Sequence, residues 1–221
     1  MNKRFIIVLA AIIVGFVAIV LLSRSAGTDD VTTTGSSNVY GNLNSKVTLT
    51  EYVDFQCEAC YAFYPTVKEV KEKYKDTVKF EIKYFPISSS HSNALAAAAA
   101  AQAAAKQGKF FEMHDMLFER QKSWENMSTE RTATFESYAK EIGLDIAQYN
   151  TDLASAETKA IINADLAEVK KLGGNGTPTF ALNGEKIDNP QNTVEAFTKL
   201  LDDIHSCHCQ SCSIHHTSNV S

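Results

Sequence analysis

Two cysteines separated by two residues, in Cys57-Glu58-Ala59-Cys60, are the side chains of this 221-residue chain best placed by type and spacing to do chemistry. They follow a strand-like run and open a helix-like one. Cys57 therefore falls where a helix begins, beside unpaired backbone N–H groups and the positive end of the helix dipole. Both favour thiolate over thiol, and cysteines so placed have pKa values of about 3.5–7.5 instead of ~8.5. Cys60 lies most of a helical turn further on, close enough to close a small disulfide ring. Such a pair can exchange disulfides, one sulfur engaging a partner while the other resolves the mixed disulfide. A structural disulfide across two residues would constrain little of the unfolded chain. Half of a zinc site would call for a second pair at ordinary spacing.

The elements that must hold this pair are legible around it. Val47 to Phe55 is β-branched and aromatic with near-alternation, which predicts a strand. Cys60, Phe63, Tyr64, Val67, Val70 and Tyr74 recur at helical spacing, with a kink expected at Pro65. Val78 to Phe85 reads as a second strand ended by Pro86. Strand patterning then disappears from Ser92 to about Leu153. Ala94 to Ala105 holds ten alanines, the best helix former. Helices are also expected around Phe110–Phe118 and Phe135–Ile142, the latter stopped by Gly143. Ala156 to Leu172 is again helical and breaks at Gly173-Gly-Asn-Gly-Thr-Pro178. Thr179–Leu182, the turn Asn183-Gly184 and Glu185–Ile187 form a hairpin. Val194, Phe197, Leu200, Leu201 and Ile204 mark a last amphipathic helix. This order predicts an α/β sheet over residues 39–204 with a helical subdomain inserted at about 92–153.

Composition narrows the function. The net charge of −5 comes without a basic stripe, which argues against nucleic-acid binding. Five cysteines in 221 residues exclude a dense disulfide framework. Lys3 and Arg4 precede eighteen uncharged residues, Phe5 to Leu22, which as a helix would span roughly 27 Å. Residues 1–22 are expected to be one N-terminal transmembrane helix, an uncleaved signal anchor with its start in the cytoplasm. Residues 23–38 read as a flexible linker. The folded part would then lie outside the cytoplasm, where disulfides persist.

Glu51-Tyr-Val-Asp-Phe-Gln-Cys57-x-x-Cys60, the helical insertion and the late Gly176-Thr177-Pro178 together resemble the DsbA-like (DsbA/BdbD-type) thiol–disulfide oxidoreductases of the thioredoxin superfamily. The resemblance covers Tyr40 to Ile204. It implies a thioredoxin-like fold, with Cys57 as exposed nucleophile and Cys60 as buried resolving thiol. It also implies a cis-proline at Pro178 and a substrate-pairing backbone at Thr177. Glu51 matches the family's buried acidic residue beneath the disulfide, where it could relay the proton of Cys60; Asp54 is a weaker candidate. Glu58-Ala59 departs from the Pro-His of the best-known oxidase. Without that histidine a less acidic Cys57 and a milder oxidant are expected. The resemblance further implies no organic cofactor, reduced exported proteins as substrates, and a membrane reoxidase as partner. A reductase or isomerase on the same fold, or a copper- or zinc-handling protein, are the alternatives.

The C-terminal residues 205–221 stand apart. Cys207, His208, Cys209 and Cys212 could ligate zinc or Cu(I), or the three thiols could pair among themselves or with another chain. His91 is expected to cap the alanine-rich helix or lie on the surface. His114 and Trp124 are expected to pack.

Overall fold

A computed structural model describes residues 34–127 and 131–209, with side chains up to Ser206. The expected anchor at 1–22, most of the expected linker, and Cys212 lie outside the described residues. So do the side chains of Cys207, His208 and Cys209. Among the described residues, no helix is long and apolar enough to cross a membrane.

In chain order the described elements are β1 (Asn38–Gly41), β2 (Thr48–Val53), α1 (Glu58–Tyr74), β3 (Lys79–Tyr84), α2 (Ala94–Ala105), α3 (Phe110–Glu119) and α4 (Gln121–Trp124). Then come α5 (Arg131–Glu141), α6 (Ile146–Leu153), α7 (Ala156–Lys171), β4 (Thr179–Leu182), β5 (Glu185–Lys186) and α8 (Val194–Cys209). The strands form one mixed sheet in the order β1-β3-β2-β4-β5. β2 runs parallel to β3 and antiparallel to β4. The α/β sheet with a helical insertion expected from the sequence is therefore present, and the insertion is α2 to α6.

β2 is central, and five of its six residues are buried, as a strand covered on both faces requires. Leu49, Phe80, Phe180 and Leu182 pack under Val67 and Val70 of α1 and Phe197 and Leu201 of α8. On the opposite face Tyr52 and Ala181 pack against Val169 of α7. The alanines of α2 give no amphipathic stripe because the helix is enclosed by the insertion. Seven of them are buried, together with Phe110, Met113, Leu117, Trp124, Phe135 and Tyr149. Trp124 packs as expected, and its indole N–H donates to the Leu117 carbonyl at 3.0 Å.

Several features go beyond the sequence reading. β1 is an edge strand antiparallel to β3, and α6 is an additional helix. α1 continues through Pro65. α8 extends beyond Ile204 to Cys209. Asn183 and Gly184 both have positive φ, 52° and 84°, as the expected type I′ turn requires.

Contacts with the fold begin upstream of Val39. Ser36 donates to the carboxylate of fully buried Asp165 from its N–H (2.8 Å) and its hydroxyl (2.6 Å). The Tyr84 N–H donates to the same carboxylate at 2.9 Å. A Cβ on Gly35 would lie 2.2 Å from Asp165 Oδ1, so only glycine lets the chain pass. Replacing Asp165 by Ala leaves the buried Tyr84 and Ser36 donors without their acceptor. Urea unfolding of Asp165→Ala should show a loss of about 3 kcal/mol.

Candidate active site

The local sequence builds the site in three pieces. β2 ends at Val53, and Asp54 to Cys57 turn the chain into α1, with Cys57 as N-cap residue in extended conformation (φ −71°, ψ 127°). Asp54 holds this turn. It is fully buried, and one carboxylate oxygen accepts from Gln56 N–H at 2.8 Å. The other accepts from Ile87 N–H at 2.8 Å and faces His91 Nδ1 at 2.7 Å. His91, expected to cap α2 or lie on the surface, thus braces the turn that carries the cysteines.

The helical insertion clamps the same turn. Buried Gln121 donates from Nε2 to the carbonyls of Phe55 (2.8 Å) and Cys57 (3.1 Å). Gln56 donates to the Glu125 carbonyl at 2.6 Å and accepts from Asn93 N–H at 2.7 Å. Gln121, Gln56, Asn93 and His91 are the residues that sequence reasoning missed. Each is a single amide or imidazole side chain, set 28 or more residues from the next except for His91 and Asn93, so no local pattern marks them.

The third piece is the loop between α7 and β4. A Cβ on Gly174 would stand 2.5 Å from Val169 Cγ2, so glycine lets the loop leave the helix tightly. The Thr177–Pro178 peptide bond is cis. The Cys57 sulfur lies 3.5 Å from the Thr177 carbonyl oxygen. Residues distant in sequence, expected to meet from the resemblance, are therefore adjacent.

The two thiols differ sharply in surroundings. Cys60 is fully buried, whereas Cys57 is half-buried. The Cys60 thiol donates to the Cys57 sulfur and, against the effect of burial, pulls its pKa down to about 5. The N–H groups of Cys60 and Ala59 act in the same direction. Burial pushes Cys60 well above the ordinary thiol range, and the neighbouring Cys57 charge adds to this. Glu58 points into solvent with 84% side-chain exposure and lies 3.5 Å from Lys122.

Glu51 is on the face of β2 that α1 covers, 5% exposed, and its charge contributes to raising Cys60. Burial raises the Glu51 pKa to about 7, against the opposing pull of the Lys71 ammonium. Lys71 is itself buried, 4.3 Å from the ring centre of Phe111 and 5.1 Å from that of Tyr40. Among the described residues, no group of three or more His, Cys, Asp or Glu side chains is placed to hold a metal ion.

A dithiol divided between a thiolate-favouring helix cap and a buried partner, faced by a cis-proline loop, is an arrangement able to exchange thiols and disulfides. Residues 33–203 match the thioredoxin family model, so the chain belongs to the thioredoxin family, and its fold is that of the DsbA-like members. It is similar to a thioredoxin-like oxidoreductase of Silicibacter pomeroyi, with 27% identity and a TM-score of 0.62 over 79% of this chain and 92% of that one. Alpha-DsbA1 of Wolbachia pipientis shares the fold at 20% identity and a TM-score of 0.67, over 82% of this chain and 96% of that one. The chain is also 34% identical over 161 residues to the Na(+)/H(+) antiporter NhaA 3 of Salinispora tropica, matching 73% of this chain and 24% of the antiporter. It spans about a quarter of the length of the curated relatives it matches.

The Glu51 shift has a sign that stability can test. The folded state favours the protonated carboxyl, so its contribution is complete below the unfolded value of 4.5 and is lost as pH rises through about 7. Across that window the protein should lose about 3 kcal/mol relative to Glu51→Gln, measured by urea unfolding at each pH.

Proposed function

We propose that the chain is an extracytoplasmic protein-disulfide oxidase, held at the membrane by residues 1–22, that introduces disulfides into reduced exported proteins. The observation that carries this reading is the unequal dithiol, with Cys57 drawn down to about 5 beside a buried Cys60. Stabilising the reduced form in this way makes its disulfide a better oxidant.

In the oxidised enzyme a substrate thiolate attacks the Cys57 sulfur, the Cys57–Cys60 bond breaks, and Cys60 leaves and takes up a proton from Glu51. A second substrate thiolate then attacks the substrate sulfur of the mixed disulfide. The substrate leaves with its new disulfide, and Cys57 departs as a stable thiolate. Two electrons pass from substrate to the enzyme pair, and a membrane reoxidase removes them. The Thr177 backbone, held by the Pro178 loop, pairs with the extended substrate segment.

Glu58-Ala59 between the cysteines favours a milder oxidant than an enzyme with histidine in that place. The redox centre needs no organic cofactor. Cys207, His208, Cys209 and Cys212 are proposed to bind zinc or Cu(I) separately from the dithiol. Removing residues after Ile204 should therefore leave oxidation of a reduced test protein intact.

Equilibration of Cys57–Cys60 against a glutathione series tests the direction of electron flow. A potential on the oxidising side of about −180 mV supports the oxidase, and one near about −270 mV would make the protein a reductant. Cys60→Ser should accumulate a mixed disulfide between Cys57 and exported proteins, visible on non-reducing gels and lost in the Cys57→Ser, Cys60→Ser double variant.

A further inference from the structure

Between β2, α1 and α3 lies a partly open cavity of about 10 Å³ lined by Glu51, Tyr64, Val67, Lys68, Lys71, His114 and Phe118. That is close to the space one water needs, about 10–15 Å³. Glu51, Lys68, Lys71 and His114 bring polar side chains to its lining. The Glu51 side chain is 5% exposed and borders this space.

Across the cavity stands His114, 5% exposed and held by rings on several sides. Its centroid lies 5.7 Å from Phe55 and Phe110, 5.8 Å from Tyr64 and 5.1 Å from Phe118. Its Nδ1 lies 2.9 Å from Asp115 Oδ1. An ionised carboxylate only accepts, so Nδ1 carries the hydrogen and Nε2 carries the lone pair. The other Asp115 oxygen is 2.8 Å from Lys68 Nζ, whose side chain is 45% exposed. Glu51 and His114 thus line one water-sized space, and the imidazole leads on through Asp115 to an ion pair with Lys68 at the surface.

We infer that His114 is a positioning residue for the dithiol, giving the buried Glu51 carboxyl a hydrogen-bonded route to solvent for the proton that Cys60 takes up or releases. The inference rests on the reading that Glu51 exchanges this proton, and it holds for either direction of electron flow. When the ring accepts a proton at Nε2 it releases one from Nδ1 to Asp115, and that carboxyl, held well below the usual range by His114 and Lys68, passes the proton on to solvent, so no net charge is left in the core. The ring stays neutral at rest because burial lowers its pKa to about 4, against the pull of Asp115. The titratable groups around it are Glu51 from β2, Tyr64, Lys68 and Lys71 from α1, and Asp115 and Glu119 from α3.

The test mixes reduced protein with oxidised glutathione from about pH 5 to about pH 9, a range that brackets carboxyl, imidazole and thiol titrations. Quenched flow separates capture of glutathione at Cys57 from closure by Cys60, in which Cys60 loses its proton, the Cys57–Cys60 bond forms and glutathione leaves. In His114→Phe, which keeps a ring in the cluster, capture should be unchanged. Closure should slow about tenfold or more and lose its inflection near pH 7. Asp115→Asn, at the surface end, should slow closure alone in the same way and serves if the ring replacement does not fold. Closure that matches the unaltered protein in both variants, with Glu51→Gln slow, overturns the inference alone. Unaltered closure in Glu51→Gln overturns the reading beneath it and the inference with it. Equal slowing of capture and closure, reproduced by Phe118→Leu, reduces His114 to packing and also overturns the inference.

Discussion

The hydrogen bond from the Cys60 thiol to the Cys57 sulfur is the interaction on which the site depends. It exists because one sulfur sits at the open end of a helix and the other one turn inside it. The sulfur at the cap gains N–H donors, and the one inside loses water, so the negative charge settles on Cys57. Without that asymmetry the two thiols would titrate alike and neither would be a preferred point of attack.

Keeping the asymmetry fixed falls to residues with no sulfur chemistry of their own. Asp54 gathers two backbone N–H groups and His91, while Gln121 and Gln56 tie the same turn to the helical insertion. A turn with this many buried bonds has little freedom to move. The insertion therefore does more than cover the sheet: it supplies the Gln121 amide, the Asn93 N–H and the Glu125 carbonyl that hold the turn. The cis Thr177–Pro178 loop comes in from the other side and offers a backbone edge at the half-buried sulfur.

Beneath the cysteines lies a second layer in which charge is deliberately incomplete. Glu51 is raised and Lys71 lowered, each chiefly by burial. Among the described residues neither forms a close ion pair, and both line the small cavity that His114 borders. Such an arrangement costs stability at neutral pH and suits a place where protons must come and go.

Much of this was written into local sequence. The Cys57-x-x-Cys60 spacing, the strand before it and the helix after it follow from periodicities of two and 3.6 residues, which need no knowledge of distant chain. The hairpin at Asn183-Gly184 and the alanine-rich α2 were legible for the same reason. β1 was not, because a four-residue edge strand is made by pairing with β3 and not by its own pattern. α6 was hidden because only Tyr149 among its residues is buried, which gives a weak stripe. The meeting of Cys57 with Thr177, of Asp54 with His91, and of Glu51 with Lys71 and His114 was decided by tertiary structure alone. Hydrogen bonds and burial act through space, between groups whose separation along the chain carries no periodic signal.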